Sequence, residues 1–125
     1  MDNAIAGLTG VVLKAALDAA SMRQAAGAAN IANANRPGYV PVRVSFEAEL
    51  EQALRSHQLN GGEFVAPQPK LEQVSVSSNG IESSNVRLDE ESAALVTNAL
   101  HYQALISGLR GYSEILFTAV GDGKR

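Results

Sequence analysis

The sequence predicts a mainly α protein in which long N- and C-terminal helices form an antiparallel coiled-coil hairpin and a small irregular or β segment lies between them. Two stripes predict the helices: apolar or small residues recur at alternating spacings of three and four over residues 5–29, and again over residues 88–120. Between the stripes, an Asn-Arg-Pro-Gly turn and a Pro-, Ser- and Asn-rich stretch interrupt every helical pattern. The chain thus divides into residues 1–34, an N-terminal helix; 35–85, a turn and middle segment; and 86–125, a C-terminal helix with a short tail.

The first stripe comprises Ile5, Leu8, Val12, Ala15, Ala19, Met22, Ala26 and Ala29. This spacing gives a helix one narrow seam to offer a partner. A helix over residues 3–33 is about 46 Å long at 1.5 Å per residue. The seam turns Ala-rich towards its C-terminal half, where small side chains let another backbone approach but bury little area each. Such a helix gains little by standing alone, so in isolation the terminal helices are expected to be largely unfolded or molten and to order on assembly.

Residues 34–42 stop that helix. Pro37 holds Arg36 in extended geometry and lacks a backbone donor, while Gly38 can take the positive φ of a tight turn. From Val40 to Phe46 the alternation places Val40, Val42, Val44 and Phe46 on one face and Pro41, Arg43 and Ser45 on the other, predicting a short strand that Pro41 puts at a sheet edge. Glu47 to Leu59 reads as a short polar helix ended by Asn60-Gly61-Gly62. Leu71, Val74 and Val76 have strand character and Asn79-Gly80 is a turn signal, so residues 63–85 form either a β-hairpin or a loop that orders against a neighbour.

The second helix is expected from Val86 to about Val120, with Asn85 or Asp89 as N-cap and Asp89, Glu90 and Glu91 near the positive end of its dipole. Leu88, Ser92, Leu95, Ala99, Tyr102, Ile106, Leu109, Ser113, Leu116 and Val120 form its stripe, interrupted by the two serines. Gly121-Asp122-Gly123 ends it, and Lys124 and Arg125 follow its negative end.

Composition narrows the function classes. The chain is 46% apolar, yet it has three Phe, three Tyr and no Trp, so the side chains that contribute most to a core are scarce. A net charge of −3 gives no basic field for nucleic acid. There is no cysteine, which removes disulfides, thiolate metal sites and thiol nucleophiles together. Met1, Asp2 and Asn3 offer no basic region ahead of Ile5, so no cleavable secretory signal is expected, and the apolar runs are far shorter than the ~20 residues of a membrane span. His57 and His101 lack companions at metal-ligand spacing, and the acidic runs Glu47, Glu49, Glu51 and Asp89, Glu90, Glu91 read as solvated helix faces. No Gly-rich phosphate loop or nucleophile elbow is present. The residues therefore announce no catalytic, cofactor or metal site and no small-molecule substrate.

The stretch Ala29-Asn30-Ile31-Ala32-Asn33-Ala34-Asn35-Arg36-Pro37-Gly38-Tyr39 resembles the signature that follows the first helix of bacterial flagellar rod and hook proteins, with Arg36 where Thr is usual. The stretches Asn85 to Glu91 and Asn98 to Leu105 are similar to the FlgB branch, Leu100 and Leu105 around Tyr102-Gln103 favouring it over FlgC; Ser92 stands where Met is frequent. The resemblance covers roughly residues 1–55 and 85–120. It makes Asn30, Asn33, Asn35, Pro37, Gly38 and Tyr39 the candidate assembly turn, and Ile5, Leu8, Val12, Met22, Leu95, Tyr102, Ile106, Leu109 and Leu116 the candidate assembly seams. Physically, the asparagines suit a place where a helix leaves its last carbonyls unpaired, and Tyr39 can bury its ring while its hydroxyl finds a polar partner.

The resemblance implies a structural subunit of the proximal flagellar rod, carried without a cleavable signal through the flagellum's own type III export apparatus. It implies as partners further copies of the chain, the rod proteins FlgC, FlgF and FlgG, FliE, the MS ring and the export gate, in the periplasmic part of the basal body. The rival readings are another rod subunit of the FlgC type and a non-polymeric two-helix binding module. Independently of the resemblance, Val11, Leu13, Leu17, Ile31, Val96, Leu100, Leu105, Tyr112, Ile115 and Phe117 fall outside the two seams. One hairpin cannot cover all of these faces, so lateral partners are expected.

Overall fold

A computed structural model describes residues 2–74 and 86–123, with side chains from residue 7 onward. Helix α1 runs Asp2–Ala32, strand β1 Val42–Ser45, helix α2 Glu47–Asn60, strand β2 Lys70–Gln73 and helix α3 Leu88–Asp122. The two long helices lie antiparallel: Leu95 sits over Gly27, Asn98 bonds Ala20, and the Tyr112 ring faces Gly10, so contact positions descend along α1 as they ascend along α3.

The end of α1 is built by its own side chains. The Ala29 carbonyl accepts both the backbone N–H of Asn33 at 3.0 Å and its Nδ2 at 2.8 Å, which satisfies a carbonyl the helix leaves over. Arg36 N–H to Asn33 O and Tyr39 N–H to Arg36 O then reverse the chain, with Gly38 at φ 75°.

β1 and β2 form a two-stranded antiparallel sheet with Val42 opposite Gln73 and Val44 opposite Leu71. The Val74 N–H adds a bond to the Pro41 carbonyl, so the proline sits where only its acceptor is needed. Phe46 is buried and Val42 and Val44 are half-buried as the alternation predicts, but Pro41, expected on the outer face, is buried too. β2 pairs with β1 across the intervening α2, a pairing the sequence reading did not include. Asn79-Gly80, Val76 and the other residues of 75–85 lie outside the described residues.

α2 closes as expected, with Gly61 and Gly62 at φ 66° and 90°. α3 begins differently from expectation. Its N-cap is Arg87, in extended geometry and without a side-chain cap bond; Asp89 is already inside the first turn, its carboxylate accepting the Glu90 N–H. Arg87 instead pairs with Glu90 at 2.9 Å, and Asn85 is outside the described residues. α3 extends two residues past the expected end, and Lys124 and Arg125 are likewise not described.

The core is small and lies between α1 and the middle segment. Ala15, Ala19 and Phe46 are its buried members, with Ala16, Leu50 and Ala66 against them. The predicted seam of α1 therefore divides: Ala15 and Ala19 serve the middle segment, while α3 meets Gly10, Ala20 and Gly27 on a neighbouring column. Among the described residues no helix is long and apolar enough to cross a membrane.

Candidate functional site

The turn motif and the start of α3 meet around one side chain. Asn30, in the last turns of α1, has no exposed surface. Its Oδ1 accepts the Val42 N–H at 2.9 Å and the Tyr39 hydroxyl at 2.9 Å; its Nδ2 donates to the Val42 carbonyl at 3.0 Å and to the Glu91 carboxylate at 3.4 Å. The amide thus uses both donors and both lone pairs. Towards β1 it acts as a substitute strand, pairing both backbone groups of Val42 on the edge that β2 leaves open. Farther along the same edge, the Arg23 guanidinium donates to the Val44 carbonyl at 3.4 Å. α1 thereby covers an edge that otherwise presents unpaired backbone.

Glu91 completes the cluster. Only 5% exposed, it is the one buried ionisable side chain among the described residues, and its carboxylate also pairs with Arg43 of β1. A carboxylate removed from water in this way needs both partners, because an unpaired buried charge is costly. Turn, β1 and α3 are fastened to α1 at this one point.

The other motif residues are placed as follows. Asn33 caps α1; Gly38 supplies the left-handed turn; Asn35, Arg36 and Pro37 are exposed on its outer side, in a shallow groove shared with Val86 and Leu88. Nothing in the structure distinguishes Arg36 from the Thr usual at its position. Tyr39 is half-buried and tied to Asn30.

Of the seam candidates, Leu95, Ile106 and Leu109 are half-buried on α3, and Leu8, Val12 and Met22 are half-buried on α1; the side chain of Ile5 lies outside the described residues. Tyr102 lines an interhelical groove with Ala20 and Gln24, and Leu116 is exposed. Sequence reasoning missed Glu91 and Asn98. The stripe it followed shares Leu95 and Tyr102 with the contact column, but it took the exposed Leu88, Ser92 and Ala99 where contact also runs through Glu91 and Asn98, the same alternation with polar members. Asn98 donates to the Ala20 carbonyl at 2.8 Å and to the Gln24 amide oxygen at 2.9 Å. A Cβ on Gly27 would stand 2.5 Å from Leu95 Cδ2, so the glycine sets how closely the helices approach.

Around the core, charge pairs brace α2. Burial pushes the Glu47 carboxyl up, but the Arg23 hydrogen bond, a backbone hydrogen bond and the Arg23 charge together hold it below the usual carboxylate range. Hydrogen bonding to Glu49 raises the exposed Lys70 amine. His57 lies edge-on to Phe64 at 5.5 Å, and His101 is exposed. Among the described residues no three His, Cys, Asp or Glu side chains are grouped to hold a metal ion.

The remaining surface is unusually apolar for helices of a single hairpin. Val96 and Leu100 are each 64% exposed, Ile115 69%, Phe117 79% and Val120 61%. Val120 belongs to the stripe expected from the sequence and the other four lie outside it; most of the five occupy the C-terminal half of α3.

No protein-family model matches the chain. It is 33% identical to the flagellar basal body rod protein FlgB of Borrelia hermsii over 104 residues, covering 69% of this chain and 76% of the relative. It is 30% identical to FlgB of Borreliella burgdorferi over 107 residues, covering 71% and 78%, and 24% identical to FlgB of Escherichia coli K12 over 123 residues, covering 86% and 89%. With its two terminal helices, the Asn-Pro-Gly-Tyr turn between them and this identity along most of both chains, the protein belongs to the FlgB family of flagellar basal body rod proteins.

Proposed function

We propose that this structural, non-enzymatic subunit of the flagellar basal-body rod packs its terminal helices against further copies and related rod proteins to form a hollow axial tube. The observation that carries this reading is the set of large apolar residues spread around α3, Val96, Leu100, Ile115, Phe117 and Val120, that stand exposed. Surface of this kind on a helix is expected where another helix covers it. Repetition of one head-to-tail contact around and along an axis generates an open tube, stiff enough to transmit torque and hollow enough to pass later subunits.

The family resemblance supplies the finer expectations. The finer reading proposed is a position in the proximal rod, in the periplasmic part of the basal body, near the MS ring and export gate, with FliE, FlgC, FlgF and FlgG as neighbours. The proposed route to that position is the flagellum's own export apparatus.

Electron microscopy of isolated basal bodies, with this chain located in the density, tests the reading. The α3 residues Leu100 and Phe117 are expected against neighbouring helices; density in which they face solvent contradicts it. In parallel, Phe117→Asp should leave the helix content of the chain intact and spare export but prevent incorporation into rods. Leu109→Asp, which puts a charge in the second seam, should also spare export and abolish incorporation.

A further inference from the structure

We infer that Glu91, supported by Asn98, is the register-determining residue of the hairpin: it selects which turn of α3 lies against which turn of α1. The apolar part of their contact leaves the register weakly specified. Where α3 crosses the C-terminal half of α1 it meets Ala20, Gln24 and Gly27, a column with no large apolar knob. Heptad-spaced small residues look much the same after a slide of one heptad, about 10 Å at 1.5 Å per residue.

The polar contacts do not look the same. Glu91 is buried and bonded at once to Asn30 and Arg43, and Asn30 is itself fixed by Val42 and Tyr39. A slide of one heptad towards the start of α1 puts Glu91 opposite residues 23 and 24, away from the Asn30 amide. A slide the other way carries Glu91 past the end of α1 and brings Asn98 to its place, leaving Arg43 without its carboxylate. Either slide separates a buried charge from its partners, a larger penalty than setting Leu95 against the methyl of Ala20 or Ala34 in place of Gly27. Asn98 adds a second condition, since its amide reaches the Ala20 carbonyl past a side chain of one carbon, and a slide that brings it to Leu13 or Leu17 covers the carbonyl it needs. A single polar residue in a seam specifying register at a cost in stability is a known device of coiled coils.

The test uses the full chain, whose lack of cysteine leaves two engineered thiols as the only labelling sites. Spin labels on Lys14→Cys and Ala93→Cys, both exposed, are separated mainly along the helix axes, so their distance reports a slide directly. The native sequence should give one distance. Glu91→Leu with Asn98→Leu should keep the helix signal and add a second distance displaced by about 10 Å. The shifted population should rise at least about tenfold, from below roughly one in a hundred molecules.

A single unshifted distance in the folded double variant, with or without lower stability, overturns the inference. So does a broad distribution already present in the native sequence, because the chain's own contacts then fix nothing. Should the double variant lose its helix signal, Glu91→Gln decides. That variant keeps an acceptor for Asn30 but not the ion pair with Arg43; a second, displaced distance supports register selection, and one unshifted distance contradicts it.

Discussion

At the end of the hairpin where α1 passes into the turn, every polar group of Asn30 is matched, Glu91 is paired on two sides, and Phe46 closes a small core against Ala15 and Ala19. At the opposite end, α3 carries Ile115, Phe117 and Val120 in the open, and the named contact with α1 is a tyrosine ring over Gly10. The first end is completed by the chain's own residues; the second has the composition of an interior, yet its large apolar residues stand exposed. A subunit built in this way can hold a defined shape at one end while leaving the other to be ordered by whatever it joins.

The largest effect expected from disturbing this contrast comes from Asn30. Asn30→Ala removes partners from Val42, Tyr39 and Glu91 at once and should cost about 3–5 kcal/mol, the range for breaking a buried charged network. Protease cleavage within residues 34–42 and loss of hydrogen-exchange protection at the Val42 amide are the readouts. An unchanged cleavage pattern means that the cluster does not hold the turn.

Gly27→Ala is a smaller perturbation with opposing contributions. The added methyl collides with Leu95 and costs about 1–3 kcal/mol, while alanine gains about 1 kcal/mol over glycine in a helix interior. A net loss of about 1 kcal/mol is expected in urea titration, and it should vanish or reverse in a Leu95→Ala background if the collision is its cause.

The smallest effect is electrostatic. Glu47 ionises more readily in the folded chain than in the unfolded one, so its contribution is present above the unfolded value and is lost as pH falls through the lower, folded value. Stability should therefore decline below about pH 5. Arg23→Gln should flatten that part of the decline, with a change below about 1 kcal/mol because the Glu47 carboxylate is largely exposed. An identical acid slope in the variant removes Arg23 as the cause.

The helices, the turn and α2 were legible because each rests on local chemistry. Spacing sets a helix, Pro37-Gly38 breaks one, and Gly61-Gly62 ends another. The contact columns were not legible. A scan for apolar periodicity passes over Glu91 and Asn98, because a carboxylate and an amide enter a seam only when partners far along the chain are waiting for them, and Asn30 lies 61 residues away. The pairing of β2 with β1 was hidden for a related reason: the strands are separated by a helix, and nothing in Lys70–Gln73 names its partner. In the sequence Asn30 is one of three asparagines near the end of a helix. Its particular role emerges only once Val42 and Tyr39 are folded back beside it.

Region-resolved hydrogen exchange on the dilute chain and on the same chain in isolated basal bodies tests the central contrast most directly. The expectation that the terminal helices are largely unfolded or molten in isolation is narrowed to one end of them. In the dilute chain, protection should gather around residues 15–50 and 88–98, with residues 105–122 exchanging freely, and both regions should be protected in the rod. Uniform protection along the whole of α3 in the dilute chain would contradict the account, since the far end would then need no neighbour to complete it.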